Sequence, residues 1–101
     1  MIHTIQSIGQ KVTIQIKGRL TYTDYNSFRQ ISDMLGTTEG QMCSIDLSEL
    51  EFIDSAGLGM LLLARDKVFE KKGTISLKGS HGQVRKMIEL GKFDTLFLIE
   101  A

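Results

Sequence analysis

The sequence predicts a single α/β domain with a mostly parallel sheet, and the order of its elements supports this prediction. Apolar residues alternate with period two in "KVTIQIK", "CSIDL" and "TISLK", as in half-buried strands. Between these segments apolar residues recur every three or four positions, as in amphipathic helices. Strands separated by single helices pair in parallel through right-handed crossovers. The predicted order is therefore ββαβαβαβ, with four to five strands in the sheet.

The N-terminal elements are a hairpin and a helix. A turn at Gly9-Gln10 separates the strands "IHTIQSI" and "KVTIQIK". The helical period begins at Asp24, which can form the capping box of this helix with Thr21, and the helix is expected to end at Gly36. Its apolar positions are Tyr25, Phe28, Ile31 and Leu35.

The remaining elements follow the same alternation of strand and helix. After the strand around Ile45, a short connection leads to a helix from about Ala56, whose first half is apolar nearly all round and is therefore predicted to be buried. After the strand "TISLK", a capping box of Ser80 and Gln83 is expected to start the third helix. The last predicted strand spans residues 96–99.

Composition excludes several classes of function. A chain of 101 residues holds one core, so residues 1–101 are predicted to be one domain. Twelve basic and twelve acidic residues cancel, so no net field attracts nucleic acid or an anionic membrane. No apolar run has membrane-spanning length, and the first ten residues lack the apolar region of a signal peptide. One cysteine and two histidines form no metal-ligand set, and the expected compartment is the cytoplasm.

The segment "FIDSAGLGMLLLA" contains the main functional candidate, Ser55, at the junction of a strand and a helix. Ligands of α/β sheets collect at such junctions, beyond the carboxyl ends of strands. Ser55 could simply cap the helix, since serine is a common cap. It could be a nucleophile, although Ile53 stands where a nucleophile elbow needs glycine and both histidines are distant in sequence. It could also carry a phosphate, facing the free N–H groups of the helix.

Two glycines follow this serine, at positions 57 and 59. They are predicted to leave the backbone uncovered, so that another protein can approach Ser55 closely. A bulky side chain at Gly57 is then expected to impair binding more than folding. The pair also begins like a dinucleotide-binding fingerprint, but Leu62 occupies the position of its third glycine. The fingerprint is therefore weak, and tight turns with close helix packing are the simpler interpretation of these glycines.

The segment "IDLSELEFIDSAGLGMLLLARDKVFEKKG" resembles the sulfate transporter and anti-sigma antagonist (STAS) domain, in its small stand-alone bacterial form. The similarity extends to "VTIQIKGRL" and to "SHGQVRKMIELGKFD", and so covers most of the chain. The resemblance implies a STAS-like domain with its helices mainly on one side of the sheet. It implies a binding protein without cofactor or enzymatic activity.

The resemblance also implies roles for single residues. Ser55 falls on the regulatory phosphorylation site of the family, and the unphosphorylated form binds an anti-sigma factor that is a serine kinase of the histidine-kinase-like ATPase fold. Phosphorylation breaks that complex, and a PP2C-type phosphatase resets it. The implied partner-binding residues are Asp54, Ser55, Ala56, Gly57, Leu58, Gly59 and Met60.

Two departures from the family pattern concern the same region. Ala56 stands where many members have a second serine, and Thr21 stands where an acidic residue is common. A further alternative is a weak nucleotide-binding enzyme, because some family members have been proposed to bind GTP. The main alternative role is a STAS subunit of another assembly, such as a lipid-transport complex, a stress-sensing scaffold or a cyclase-regulating module. In that role the loop would be a docking point that needs no phosphate.

Overall fold

A computed structural model describes all 101 residues, Met1–Ala101. It contains six strands and three α-helices. The strands are β1 (Ile2–Ile8), β2 (Lys11–Leu20), β3 (Met42–Asp46), β4 (Leu50–Ile53), β5 (Thr74–Lys78) and β6 (Leu98–Glu100). The helices are α1 (Tyr25–Asp33), α2 (Ser55–Glu70) and α3 (Gly82–Leu90), and short 3-10 turns cover Tyr22–Asp24 and Phe93–Thr95.

The sheet is mostly parallel, as predicted. The order of its strands is β1-β2-β3-β5-β6, and only the hairpin of β1 and β2 is antiparallel. The ten-residue strand β2 has two parallel neighbours along its length. Its first half pairs with β3, and its last residues, Gly18–Leu20, pair with β4. The carboxyl end of β4 therefore lies beside the carboxyl end of β2.

Strand β4 was not predicted, and its burial pattern explains why. The strand buries Leu50 and Ile53, which are three positions apart, and leaves Glu51 exposed. The pairing with β2 shifts register between Gly18 and Arg19. A short strand beside such an irregularity lacks the period-two alternation by which strands are recognised in a sequence. The observed order is therefore ββαββαβαβ, and the sheet has six strands instead of four to five.

The core lies on one side of the sheet, and the helices cover that side. Apolar residues of the central strands alternate inward and are almost completely buried, and they form one cluster with residues of all three helices. From α1, α2 and α3 that cluster receives, for example, Phe28, Leu61 and Val84. The predicted placement of the helices mainly on one side is confirmed.

The opposite face of the sheet is polar across its middle, and exposed apolar side chains of Ile8, Met42 and Leu98 lie towards one end of it. Because paired residues of neighbouring strands point to the same face, two rows of side chains cross the sheet there. One row contains Gln6, Thr13, Ser44, Ser76 and, on the edge strand, Leu98, and the next contains Thr4, Gln15, Asp46, Lys78 and Glu100. We call these two rows the open face. None of its members belongs to the apolar core.

The single cysteine offers a test of the core. Cys43 is buried in β3, and desolvation raises the pKa of its thiol to about 12. The thiolate is the reactive form, so at pH 8 almost none of it is present in the folded protein. We expect iodoacetamide to label the native protein far more slowly than the urea-unfolded protein, measured by intact mass. Equal labelling rates in the two states would contradict this placement of Cys43.

Candidate functional site

The candidate site is the junction between β4 and α2. Ser55 is the first residue of α2 and is exposed, as predicted. The helix is capped by its predecessor: the N–H of Gly57 donates to Oδ1 of Asp54 over 2.7 Å. The interpretation of Ser55 as the helix cap is therefore wrong, because the carboxylate of Asp54 already fills that position. The hydroxyl of Ser55 is left available for other chemistry.

Asp54 connects two segments of the chain. Its second oxygen, Oδ2, accepts the main-chain N–H of Tyr22 over 3.1 Å, while Oδ1 caps α2. The main-chain N–H of Asp54 also donates to the carbonyl of Leu20. Both carboxylate oxygens of Asp54 thus hold main-chain groups of its own domain. We infer that Asp54 shapes the loop that presents Ser55, in addition to any contact with a partner.

Replacing Asp54 should therefore lower the free energy of unfolding. Asp54→Ala removes both hydrogen bonds, and loss of the helix cap alone typically costs about 0.5–2 kcal/mol. We expect a total loss of about 1–3 kcal/mol, and a smaller loss for Asp54→Asn, which keeps one acceptor. Urea unfolding followed by circular dichroism measures both variants.

The matched control for these variants is Asp66→Asn on the exposed side of α2. Its carboxylate forms an ion pair with Arg65 at 3.7 Å, and its side chain is 69% exposed. A surface pair of this kind contributes little to stability. Equal urea concentrations at the unfolding midpoint for Asp54→Ala, Asp66→Asn and the wild type would show that Asp54 does not hold the loop.

Gly57 has a different role from the one predicted. It is buried, and a Cβ atom built on it would lie 2.5 Å from the carbonyl oxygen of Leu20 and 2.6 Å from Cγ1 of Ile53. The close approach that requires glycine is thus made by β2 and β4 of the same domain and not by a partner. The expectation that a side chain at Gly57 impairs binding more than folding is wrong. Gly59 fits the original expectation better, since it is exposed and nothing lies within 4 Å of a Cβ built there.

The other predicted partner-binding residues divide by burial. Ala56 is exposed beside Ser55, and Leu58 is half-buried against the core. Met60 is 2% exposed and belongs to the core. Met60 and Gly57 therefore cannot touch a partner without a change of fold. The outward surface formed by the predicted residues consists of Ser55, Ala56 and Gly59, with Leu58 at its margin.

The structure adds Tyr22 to this surface. Its side chain is 73% exposed, and its main-chain N–H is bound to Asp54. The capping box of Thr21 and Asp24, predicted for the first α-helix, instead closes the 3-10 turn that precedes this helix and carries Tyr22. Partial burial raises the pKa of the Asp24 carboxyl, but the hydrogen bond from the N–H of Thr21 and the nearby N-terminal ammonium outweigh it and hold that pKa below its usual value. The sequence signal that could have identified Tyr22 is an aromatic residue inside the polar segment "LTYTDY", just after a strand.

A second missed feature lies on the neighbouring strands. The guanidinium of Arg19 stacks over the ring of Phe52, 4.2 Å from the ring centre. These residues are paired in register between β2 and β4, and the stacked arrangement is a favourable cation–π contact. Sequence alone could not find it, because it depends on the pairing with an unpredicted strand.

The surroundings of Ser55 do not support nucleophilic catalysis. The Nε2 atom of His81 lies 2.9 Å from the carbonyl oxygen of Ser48, so its hydrogen bond is to the main chain and not to Ser55. His3 is exposed on β1. None of the four surface depressions is lined by Ser55 or its neighbours in α2.

Comparison with known proteins identifies the family. A family model described as "Mlab, STAS domain" matches residues 3–100. The chain therefore belongs to the STAS domain family. Within that family, a STAS-domain containing protein of Pseudomonas aeruginosa (strain UCBPP-PA14) is 36% identical over 91 residues, which cover 90% of this chain and 89% of that protein.

Solved structures share the fold. An anti-sigma-factor antagonist (STAS) domain protein from Planctomyces limnophilus gives a TM-score of 0.86 at 15% identity, covering 98% of this chain and 89% of that one. SpoIIAA, an anti-sigma factor antagonist solved in its unphosphorylated form, gives a TM-score of 0.81 at 18% identity, covering 99% and 89%. At these identities the likeness establishes the fold, which is that of anti-sigma factor antagonists. None of the three α-helices has both the length and the apolar character to cross a bilayer.

Proposed function

We propose that this protein is an anti-sigma factor antagonist switched by phosphorylation of Ser55. Its unphosphorylated form sequesters an anti-sigma factor that is also a serine kinase of the histidine-kinase-like ATPase fold. Phosphorylation by that kinase releases it, and a PP2C-type phosphatase restores the binding form. The protein acts in the cytoplasm as a binding protein and not as an enzyme. The observation that carries this proposal is an exposed serine hydroxyl at the start of a helix that its neighbour Asp54 already caps.

The chemistry of the junction suits a reversible phosphate. A phosphoryl group adds about −1.5 to −2 charges, which the positive end of a helix dipole tolerates. The N–H of Gly57 is engaged by Asp54, so the phosphate would lie on the exposed surface beside a carboxylate. The modification would then change the charge of the outward surface while leaving the domain folded. This is what a switch of binding requires.

The comparisons support the type of function. SpoIIAA, which shares the fold, is an anti-sigma factor antagonist whose structure was solved in an unphosphorylated form. The family match covers nearly the whole chain.

A second candidate function follows from the matched family model, which is described as an Mlab STAS domain. This chain could be a STAS subunit of another assembly, including a lipid-transport complex, with the surface around Ser55 as its docking point. Ala56 leaves only one hydroxyl at the junction, which is consistent with docking without phosphate.

Mass spectrometry separates the two functions. We expect the protein isolated from its native cell to carry a phosphate on Ser55 in part of its molecules, and a PP2C-type phosphatase to remove it. A pull-down from native lysate should recover a serine kinase with the wild type and lose it with Ser55→Asp. The control is Ser27→Asp, which places the same charge on the exposed side of α1. An unmodified Ser55 under all growth conditions, together with a partner that both aspartate variants still bind, would favour the second function.

A further inference from the structure

Strand β4 has a strand neighbour on one side only. It pairs with β2, and its other edge faces α3. At that edge the two main-chain groups of Ile53 bond to one side chain: the N–H of Ile53 donates to Oε1 of Gln83 over 2.9 Å, and Nε2 of Gln83 donates to the carbonyl of Ile53 over 2.8 Å. The amide of Gln83 thus replaces a neighbouring strand at one residue.

This contact corrects the sequence interpretation of Gln83. The expected capping box with Ser80 is absent: α3 begins after His81, which provides no side-chain cap. Gln83 is partly buried and directs its amide to β4. An unpaired main-chain group away from water is costly, so β4 needs this amide.

The contact with Gln83 bears on the candidate site because of where Ile53 lies in the chain. Ile53 directly precedes Asp54, whose carboxylate holds both Tyr22 and the start of α2. On the other side the N–H of Asp54 donates to the carbonyl of Leu20 over 3.2 Å. The backbone that leads to Ser55 is therefore fixed from two directions, by β2 and by α3. Only the α3 side depends on a single side chain.

We propose that Gln83 is a positioning residue for the loop that presents Ser55. Its amide fixes Ile53 and thereby sets the backbone of Asp54–Gly57, so that α3 is coupled to the site. The loop geometry can be tested in the isolated protein. The effect on phosphorylation rests on the proposed function.

The first test is amide hydrogen exchange of Gln83→Met, measured by NMR. Methionine has a similar length but cannot bond to the main chain, so Ile53 loses two hydrogen bonds. We expect the amides of Asp54 and Gly57 to exchange about tenfold faster or more, relative to the core amide of Ile45. Lys86→Met, an exposed position of the same helix, is the matched control and should leave these rates unchanged. Rates for Gln83→Met within twofold of those for the control would overturn the proposal.

The second test uses Gln83→Glu, because a role limited to filling space would not depend on pH. A protonated carboxyl group is shaped like the amide and can make both bonds, whereas the carboxylate repels the carbonyl of Ile53. The folded protein is therefore expected to raise the pKa of the introduced carboxyl above its usual value of about 4.3. The protection of the loop should match the wild type below that value and be lost as the pH rises through the raised pKa.

The wild type is the reference at each pH, since it shares the charged and titratable groups that neighbour Ile53 and Gln83 along the chain, which are Glu51, Asp54, His81, Arg85 and Lys86. A ratio of protection factors between Gln83→Glu and wild type that is constant with pH would contradict the proposal.

The functional arm measures phosphate transfer to Ser55 from radiolabelled ATP, with native-cell lysate as the kinase source. We expect Gln83→Met to be phosphorylated at least several-fold more slowly than Lys86→Met. If the wild type accepts no phosphate, the proposed function fails, while the two exchange experiments still decide the role of Gln83. Normal phosphorylation of a Gln83→Met protein whose loop exchanges faster would refute the coupling to the site.

Discussion

Replacing Gly57 by alanine is expected to destabilise the domain by about 1–3 kcal/mol, and valine by more. The new Cβ would lie 2.5 Å from the carbonyl oxygen of Leu20 and 2.6 Å from Ile53. Neither a main-chain carbonyl nor a fully buried side chain can move aside without shifting α2 from the sheet. The cost should appear in the folded domain itself, without any partner.

Gly59 provides the opposite expectation for the same substitution. Nothing lies within 4 Å of a Cβ built there, and alanine favours a helix over glycine by up to about 1 kcal/mol. Urea unfolding of Gly57→Ala and Gly59→Ala should therefore give shifts of opposite sign relative to the wild type. If Gly57→Ala were as stable as Gly59→Ala, the packing of α2 against Leu20 would be wrong.

The second large effect is the change in affinity for the kinase when a negative charge is added at Ser55. We expect Ser55→Ala to bind the kinase like the unphosphorylated wild type but to resist being switched off. Ser55→Asp should stay folded and bind at least tenfold more weakly. At an interface the added charge would lose its water beside Asp54, and an unpaired buried charge costs several kcal/mol. Each ~1.4 kcal/mol weakens binding tenfold, so partial burial is enough.

Calorimetric titration against the purified cognate kinase measures this effect, with circular dichroism of each variant to verify folding. Local stabilisation by the helix dipole is only about 0.3–1 kcal/mol, so the unfolding curves should nearly coincide. Ser27→Asp is again the charge control, since it lies on an exposed position of α1. Equal affinities of phosphorylated and unphosphorylated protein for the kinase would refute the switch.

Features that depend on local sequence were predictable. The strand "KVTIQIK", the helix around Phe28 and the position of Ser55 before α2 follow from periodicity and from the polar pair at the junction, and the structure confirms them. The identity of the cap was missed because Asp54 and Ser55 are both good caps, and only the main-chain angles decide between them.

Features that depend on tertiary contacts were not predictable. The demand for glycine at position 57 comes from Leu20, which is far away in sequence. The amide of Gln83 looks like a capping residue until β4 is placed beside α3. Strand β4 itself buries residues three positions apart, so it resembles a loop. Ser55 could therefore be identified from the sequence, whereas the contacts that hold its loop in place could be identified only from the structure.

The open face affects how copies of this domain behave toward each other. A sheet face that no helix covers can stack against the sheet of another molecule, which is a route to aggregation. Here Asp46, Lys78 and Glu100 lie side by side across the middle and edge of the sheet. Partial burial raises the pKa of the Asp46 carboxyl, but the N–H of Ser48 and the charge of Lys78 outweigh it, so that pKa stays below its usual value. Stacking would dehydrate this charged row, and the resulting penalty should keep crowded copies of the protein apart.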